Sequence, residues 1–357
     1  MRLDSDVKLH DKDPMLVAAV KNIEALIAEN KFKEAEAFCR GYLTNNSDDY
    51  ETRMMLAHVL ELSGKWEDAL DELLLIKKSG IFQSKLFLLE AMTDRIKEKR
   101  EIYEKVKSVI KSRKDFVSYI GNSDVVTMNR EGISVSFHIK DHTLNLEEIF
   151  RTVRRAQVKI QQMIGWDVRK IAIEIYNKTD EARGESFSVG QNSWIAGIYN
   201  GTIRVYKYPD ITEPQYLYTV ITHEYAHLVM QTKLNEKCPW WLNEGFAVFA
   251  SQSLSSGYRD ILRDALKDSA IVPFESLEQN ASFNQNNAIS KLVYAQSASA
   301  VEYMFHKYRK EVLADKFLRA LKQKGITYAL NGIGLNYYLL ERDWIRWFMS
   351  GNREEEI

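Results

Sequence analysis

Apolar residues through the first eighty positions recur at helical spacing, which predicts helix pairs over about 16–29 with 32–45 and 49–63 with 66–79. The string Asn30-Lys31-Phe32-Lys33-Glu34-Ala35 returns as Gly64-Lys65-Trp66-Glu67-Asp68-Ala69, an offset of 34 residues. A helical stretch over about 82–119 follows and caps the pairs. Its dense charges (Arg95, Lys97, Glu98, Lys99, Arg100 and Glu101) read as a solvated face. After Asn122 the period drops to two. Ile133, Val135, Phe137 and Ile139 alternate with Ser134, Ser136 and His138, as a strand with one buried face requires. Helical periodicity returns over 145–164, carried by Ile149, Val153, Val158 and Ile160. Ile171, Ile173 and Ile175 mark another strand. Trp194–Tyr199 and Thr202–Tyr208 flank Asn200-Gly201, a strong hairpin signal. A small, largely antiparallel sheet is therefore expected. The last third is helical, with apolar faces over Val301–Tyr308, Val312–Leu321 and Tyr338–Met349 and breaks at Asn331-Gly332 and Gly334. Trp344 and Trp347 are spaced to pack one helix end into the core.

These elements predict an α+β fold in two domains, an all-helical one over 1–121 and a mixed one over 122–357. At 45% hydrophobic and 28% charged residues, with a net charge of −1, nothing points to nucleic acid or an anionic membrane as partner. No window approaches the length of a membrane span, and the N-terminus has no apolar leader. The expected location is cytoplasmic; an exported form whose signal peptide has been removed fits the same chain. Cys39 and Cys238 lie far apart and read as small neutral residues.

One short string changes the picture. Residues 223–227 are His-Glu-Tyr-Ala-His. On a helix His223 and His227 lie one above the other and can bind one metal ion together. Glu224 is turned about 100° from His223, too far to chelate with both histidines but close enough to act on a water at the metal. Glu244 follows 17 residues after His227, in Trp241-Leu242-Asn243-Glu244-Gly245, and offers a third ligand from a second helix. Catalytic zinc takes three protein ligands and leaves the fourth position to water. One Zn²⁺ per chain is the expectation. Of the remaining histidines, His10, His58, His138, His142 and His306 read as structural.

The two strings, with Phe246-Ala247 after the second, resemble the gluzincin metallopeptidases, in particular aminopeptidase-N-like enzymes and the smaller peptidase MA-like proteins. The match extends from about Leu144 to Trp347. The resemblance implies Glu244 as third ligand and a hydrolysis in which Glu224 is general base toward a zinc-activated water. It also implies an oxyanion donor from a later helix, for which Tyr294 in Leu292-Val293-Tyr294-Ala295-Gln296-Ser297 is the candidate, and an edge strand, here in the 194–208 hairpin, that pairs with an extended peptide. Two departures matter. Val248, four residues beyond Glu244, replaces the aspartate of the thermolysin type. Ile195-Ala196-Gly197-Ile198-Tyr199-Asn200 stands where aminopeptidase-N relatives carry Gly-x-Met-Glu-Asn, without the amine-capturing glutamate, which favours an endopeptidase. The 34-residue offset resembles the tetratricopeptide repeat, with Ile23 and Ser47 departing from its small residue and proline.

The sequence thus reads as a zinc-dependent peptidase acting on peptide or protein substrates, with helical repeats that could hold a protein partner. Two other readings stay open: an inactive peptidase-fold scaffold, and a zinc hydrolase of a non-peptide substrate.

Overall fold

The helices of the first unit form where the hydrophobic period places them: α1 (Pro14–Ala28), α2 (Phe32–Asn45), α3 (Tyr50–Leu62) and α4 (Trp66–Lys78), followed by α5 (Gln83–Lys107). The computed structural model describes residues 14–80, 83–108, 116–120, 124–139, 145–177, 197–199, 202–207, 214–253, 256–278 and 287–351. Asp49 caps α3, accepting the Glu51 N–H at 3.0 Å and the Thr52 hydroxyl at 2.7 Å. Gly64 (φ +71°) turns the chain from α3 into α4. Ala35, Ala57 and Ala69 are wholly buried among Ile23, Leu60 and Leu73, and these small residues let the helices approach closely. Cys39 is a free thiol in that core, its pKa pushed by burial to about 12.

The charged stretch of α5 is only partly a solvated face. Lys97, Glu98 and Glu101 are exposed, but Arg95 and Lys99 turn inward onto Glu61, itself 1% exposed. Arg95 grips the Glu61 carboxylate through Nε (2.9 Å) and Nη2 (2.6 Å), while Lys99 Nζ lies 3.0 Å from Oε1. Burial alone would raise the Glu61 pKa; hydrogen bonds from His58 and Arg95 and the charge of Lys99 hold it at about 2. A depressed carboxylate pKa stabilises the fold above its unfolded value near 4.5, and that contribution is lost as pH falls toward 2. Glu61→Gln is therefore expected to cost on the order of 3 kcal/mol at pH 7, weakening the hold on Arg95 and leaving Lys99 to Asp124. In urea unfolding, the gap between the variant and the unaltered protein should shrink as pH falls from 4.5 toward 2. A gap independent of pH would contradict this account.

Residues 116–120 are a strand, β1 (Phe116–Ile120), where a helix had been expected to run to 119. The run Phe-Val-Ser-Tyr-Ile is aromatic and β-branched, which suits a pleated surface better than a helix. It pairs antiparallel with β2 (Val125–Arg130), Phe116 opposite Asn129 and Ile120 opposite Val125. Tyr119 packs on Trp66 at 4.8 Å and donates its hydroxyl to Asp124 at 2.6 Å.

The chain divides into two compact units, Met1–Asn129 with Ser136–Leu144 and Arg130–Val135 with Asn145–Ile357. Strand β3 (Ile133–His138) alternates as expected, with Ile133, Val135 and Phe137 buried. The second unit goes on with α6 (Leu146–Ile164), β4 (Ile171–Asn177), β5 (Gly197–Tyr199) and β6 (Ile203–Lys207). Asn145 caps α6 by accepting the Glu148 N–H, and Gly165 ends it at φ +75°. Ile149, Val153, Ala156 and Ile160 form its buried stripe; Val158, counted in the expected apolar period, is 51% exposed.

The sheet is mixed: β1–β2 and β5–β6 pair antiparallel, and β4–β6 pair parallel. β5 and β6 pair antiparallel, Tyr199 opposite Ile203, so the expected hairpin stands over 197–199 and 203–207; its turn and its outer residues 194–196 and 208 lie outside the described residues. β6 also pairs parallel with β4, Ile173 beside Ile203 and Ile175 beside Val205. A parallel pair needs a long connection, and the chain between β4 and β6 is long enough. Alternation marks a strand but says nothing of its partner's direction. β5 is thereby the last strand of the sheet, and it lies against α7 (Pro214–Leu234).

Helices complete the unit: α8 (Trp240–Ser251), α9 (Ser256–Lys267), α10 (Asn287–Lys307), a π-helical stretch (Val312–Leu318) leading into α11 (Arg319–Lys324), α12 (Ile326–Gly332) and α13 (Tyr337–Met349). Trp344 is wholly buried, its indole donating to Ser299 at 3.0 Å, while Trp347 is half-buried beside Tyr303 and His306. No helix among the described residues is long and apolar enough to cross a membrane.

Candidate metal site

Helix α7 begins at Pro214, a residue suited to a first helical turn. Val220, Ile221, Leu228 and Val229 bury it on several sides. Tyr225, between the two histidines, fixes its rotation. The phenol is fully buried, accepts the Val168 N–H at 2.9 Å and donates to the Val168 carbonyl at 3.1 Å, tying α7 to the segment after α6. With that face held inward, His223 and His227 point together from the next one. Their Nε2 atoms are 3.1 Å apart.

Helix α8 brings the third group. Trp241, Leu242 and Phe246 are its buried anchors, and α8 packs against both α7 and α10. Gly245 faces α10 so closely that a Cβ there would meet the Ser297 carbonyl carbon at 2.7 Å and Val301 Cγ2 at 3.0 Å. The neighbouring Glu244 carries its Oε2 to 3.5 Å from His227 Nε2 and 3.9 Å from His223 Nε2. One ligand atom from each of His223, His227 and Glu244 can be chosen so that all lie within 4.8 Å of one another, and no other His, Cys, Asp or Glu trio among the described residues does the same. Tetrahedral ligands at zinc–nitrogen and zinc–oxygen distances of 2.0–2.1 Å stand about 3.3 Å apart. The observed 3.1, 3.5 and 3.9 Å bracket that value. The donor set, two imidazoles and one carboxylate with side chains 12–21% exposed, fits one small divalent cation with an open side.

The electrostatics agree. Burial and the neighbouring His227 push the His223 pKa down, which favours the neutral, ligating form. Burial would lower His227 too, but the charge and hydrogen bond of Glu244 outweigh it and raise the pKa. Burial raises Glu244, and the two histidines more than reverse this. With no cation present, the raised His227 pKa lets that imidazole hold a proton against the Glu244 carboxylate, and a bound metal ion would take that proton's place. Glu224, 5% exposed and clear of the trio, is pushed by burial to about 7, where a carboxylate can both take and return a proton.

Tyr294 lies on α10, half-buried, within the electrostatic reach of both Glu244 and Glu224; burial first and these charges next push its phenol above the ordinary range. Its ring meets Trp240 edge-on at 5.3 Å. All five residues singled out in the sequence therefore belong to one neighbourhood of the second unit. His306 packs on Trp347, and His58 pairs with Glu61; neither joins it.

Residues 152–350 match the family model described as Peptidase MA superfamily. The chain belongs to that superfamily. No curated protein and no solved structure matches it. The segment matched to the Peptidase MA superfamily contains α7, α8 and α10 entire, and so every residue of the cluster.

Three neighbours escaped the sequence reading of this Peptidase MA superfamily domain. Asn243 lies close enough to His227 to raise its pKa, and His227 Nδ1 and Asn243 Oδ1 are both buried without a hydrogen-bond partner among the described residues. Its place next to Glu244 was the available signal. Cys238 is close enough to feel the Glu244 charge, its thiol driven upward by burial first. Tyr258, from α9, acts on Tyr294; nothing in the sequence marked it.

Proposed function

We propose that the protein is a zinc-dependent peptidase of the gluzincin type, with His223, His227 and Glu244 as ligands of one zinc ion. The observation that carries this reading is the convergence of three neutralisable donors within 4.8 Å, beside a buried carboxylate, in a Peptidase MA superfamily domain. Zinc in such a site supplies a Lewis acid and lowers the pKa of water to ~7. Glu224 takes a proton from the attacking water and passes it to the leaving amine nitrogen; its raised pKa suits both steps. Tyr294 donates a hydrogen bond to the oxyanion as charge develops, a contribution worth a few kcal/mol. Substrate backbone pairs with β5, the last strand of the sheet, which lies against the helix that bears the histidines.

The same proposal divides the labour between a helical domain over 1–121 and a peptidase domain over 122–357. The helix pairs α1–α2 and α3–α4 are taken as tetratricopeptide-type repeats, on the 34-residue offset of their sequences and on their buried alanines. A protein partner is their expected ligand.

Cleavage is taken to be internal, because strand pairing is indifferent to a distant terminal charge. An N-acetylated peptide should be cut about as fast as its free counterpart, with mass spectrometry showing internal fragments. Loss of single N-terminal residues from free peptides alone would overturn the endopeptidase reading.

A further inference from the structure

Helix α6 carries the basic residues Arg151, Arg154, Arg155 and Lys159. Two of them are paired, Arg151 with Glu148 and Arg154 with Glu131. Arg155 and Lys159 have no carboxylate partner among the described residues. They stand at i and i+4, where like charges repel, and no residue three or four positions from either on α6 is acidic. Both cations gather over one ring of α7, the helix on which α6 packs. Arg155 Cζ lies 4.3 Å and Lys159 Nζ 5.8 Å from the ring centroid of Tyr218. That ring attracts a cation but brings no counter-charge. Burial and the Arg155 charge lower the Lys159 pKa, in keeping with two cations held together uncompensated. Tyr218 is 8% exposed, and its hydroxyl has no hydrogen-bond partner among the described residues. The place is separate from the metal ligands. Tyr218 precedes His223 by five residues, which turns it about 140° away around α7 and onto the face of Tyr225.

We propose that Arg155 and Lys159, gathered over Tyr218, form a binding site for a phosphate group, free or on a small monoester. A phosphate carries about two negative charges at pH 7 and answers both cations with one ligand, where a carboxylate answers one. The guanidinium takes two phosphate oxygens side by side, and the ammonium meets a third as a point charge. Val158, 51% exposed and one turn from Arg155, offers apolar contact to the carbon side of a monoester. The site is independent of the peptidase chemistry.

The test titrates the full-length protein with inorganic phosphate and with phenyl phosphate, at about pH 7.5 and constant ionic strength, by calorimetry and by melting temperature. Millimolar binding and a rise of about 2–4 °C at saturation are expected. Arg155→Gln and Lys159→Gln should each weaken binding about tenfold and lose most of the rise. Without ligand, both variants should melt within about a degree of the unaltered protein or slightly above it, because each removes a repulsion. Tighter binding of phenyl phosphate assigns the site to a monoester; equal binding assigns it to free phosphate. The His223→Ala protein should bind as the unaltered protein does. Binding lost in His223→Ala but kept in Arg155→Gln would place the anion at the metal ligands and overturn the proposal. Acetate bound as tightly as phosphate, or no phosphate bound by the unaltered protein, would overturn it as well.

Discussion

Glu224→Gln is expected to lower peptide hydrolysis by about a hundredfold to ten-thousandfold while leaving the zinc content and melting temperature close to those of the unaltered protein. The amide matches the carboxylate in shape but cannot accept the water's proton, so what is lost is the proton transfer. Two features of the site sharpen this expectation. Glu224 stands outside the ligand trio, so its replacement does not open the metal site. Burial also holds its pKa near 7, so the carboxylate resists ionisation in the fold, and a neutral amide removes that burden. Activity assays with metal analysis on the same sample would decide it. Wild-type turnover in Glu224→Gln would remove the general base from the mechanism.

Gly245→Ala should be nearly as damaging, although the residue touches no ligand atom. Helix α8 meets α10 through small residues, and the missing Cβ of Gly245 is what lets the Ser297 carbonyl approach. A methyl group there must push the two helices apart by several tenths of an ångström or more, because the obstacle is backbone and not the end of a flexible side chain. Overpacking of this sort costs about 1–3 kcal/mol. The consequence for function is larger than that for stability. Glu244 is the next residue, and its carboxylate meets the histidines at 3.5 and 3.9 Å, so a displaced α8 moves the third ligand out of a shared coordination sphere. A drop in melting temperature of several degrees, zinc affinity lower by ten- to a hundredfold and activity lower by about a hundredfold are expected. Gly245→Ala with unchanged zinc affinity would show that the helix contact does not set the ligand geometry.

What could be read from the sequence, and what could not, follows from the range of the interactions. The i, i+4 histidines and the helix period are local, and a local rule places His223 and His227 together without knowledge of the rest. The four N-terminal helices are legible for the same reason, their apolar stripes being set within a dozen residues. The parallel pairing of β4 with β6 depends on residues about thirty positions apart, such as Ile173 and Ile203, and alternation carries no record of it. The inward turn of Arg95 and Lys99 was hidden because their partner, Glu61, lies on another helix, and a run of charges looks solvated until a buried carboxylate is found to receive it. Strand β1 was absorbed into the helix before it, since five residues are too few for a period to declare itself. Tyr225 and Gly245 sit inside the recognised strings, yet their work, a backbone hydrogen-bond pair and a clearance, appears only when Val168 and Ser297 are seen beside them.

The central claim is that His223, His227 and Glu244 hold one zinc ion, and metal stoichiometry tests it most directly. The purified protein, dialysed against zinc and then against metal-free buffer, should retain one zinc per chain by mass spectrometric metal analysis. His223→Ala and His227→Ala, confirmed as folded by circular dichroism, should retain essentially none, because two protein ligands rarely hold zinc in a catalytic site. Full zinc occupancy in either folded variant, or none in the unaltered protein, would contradict the account.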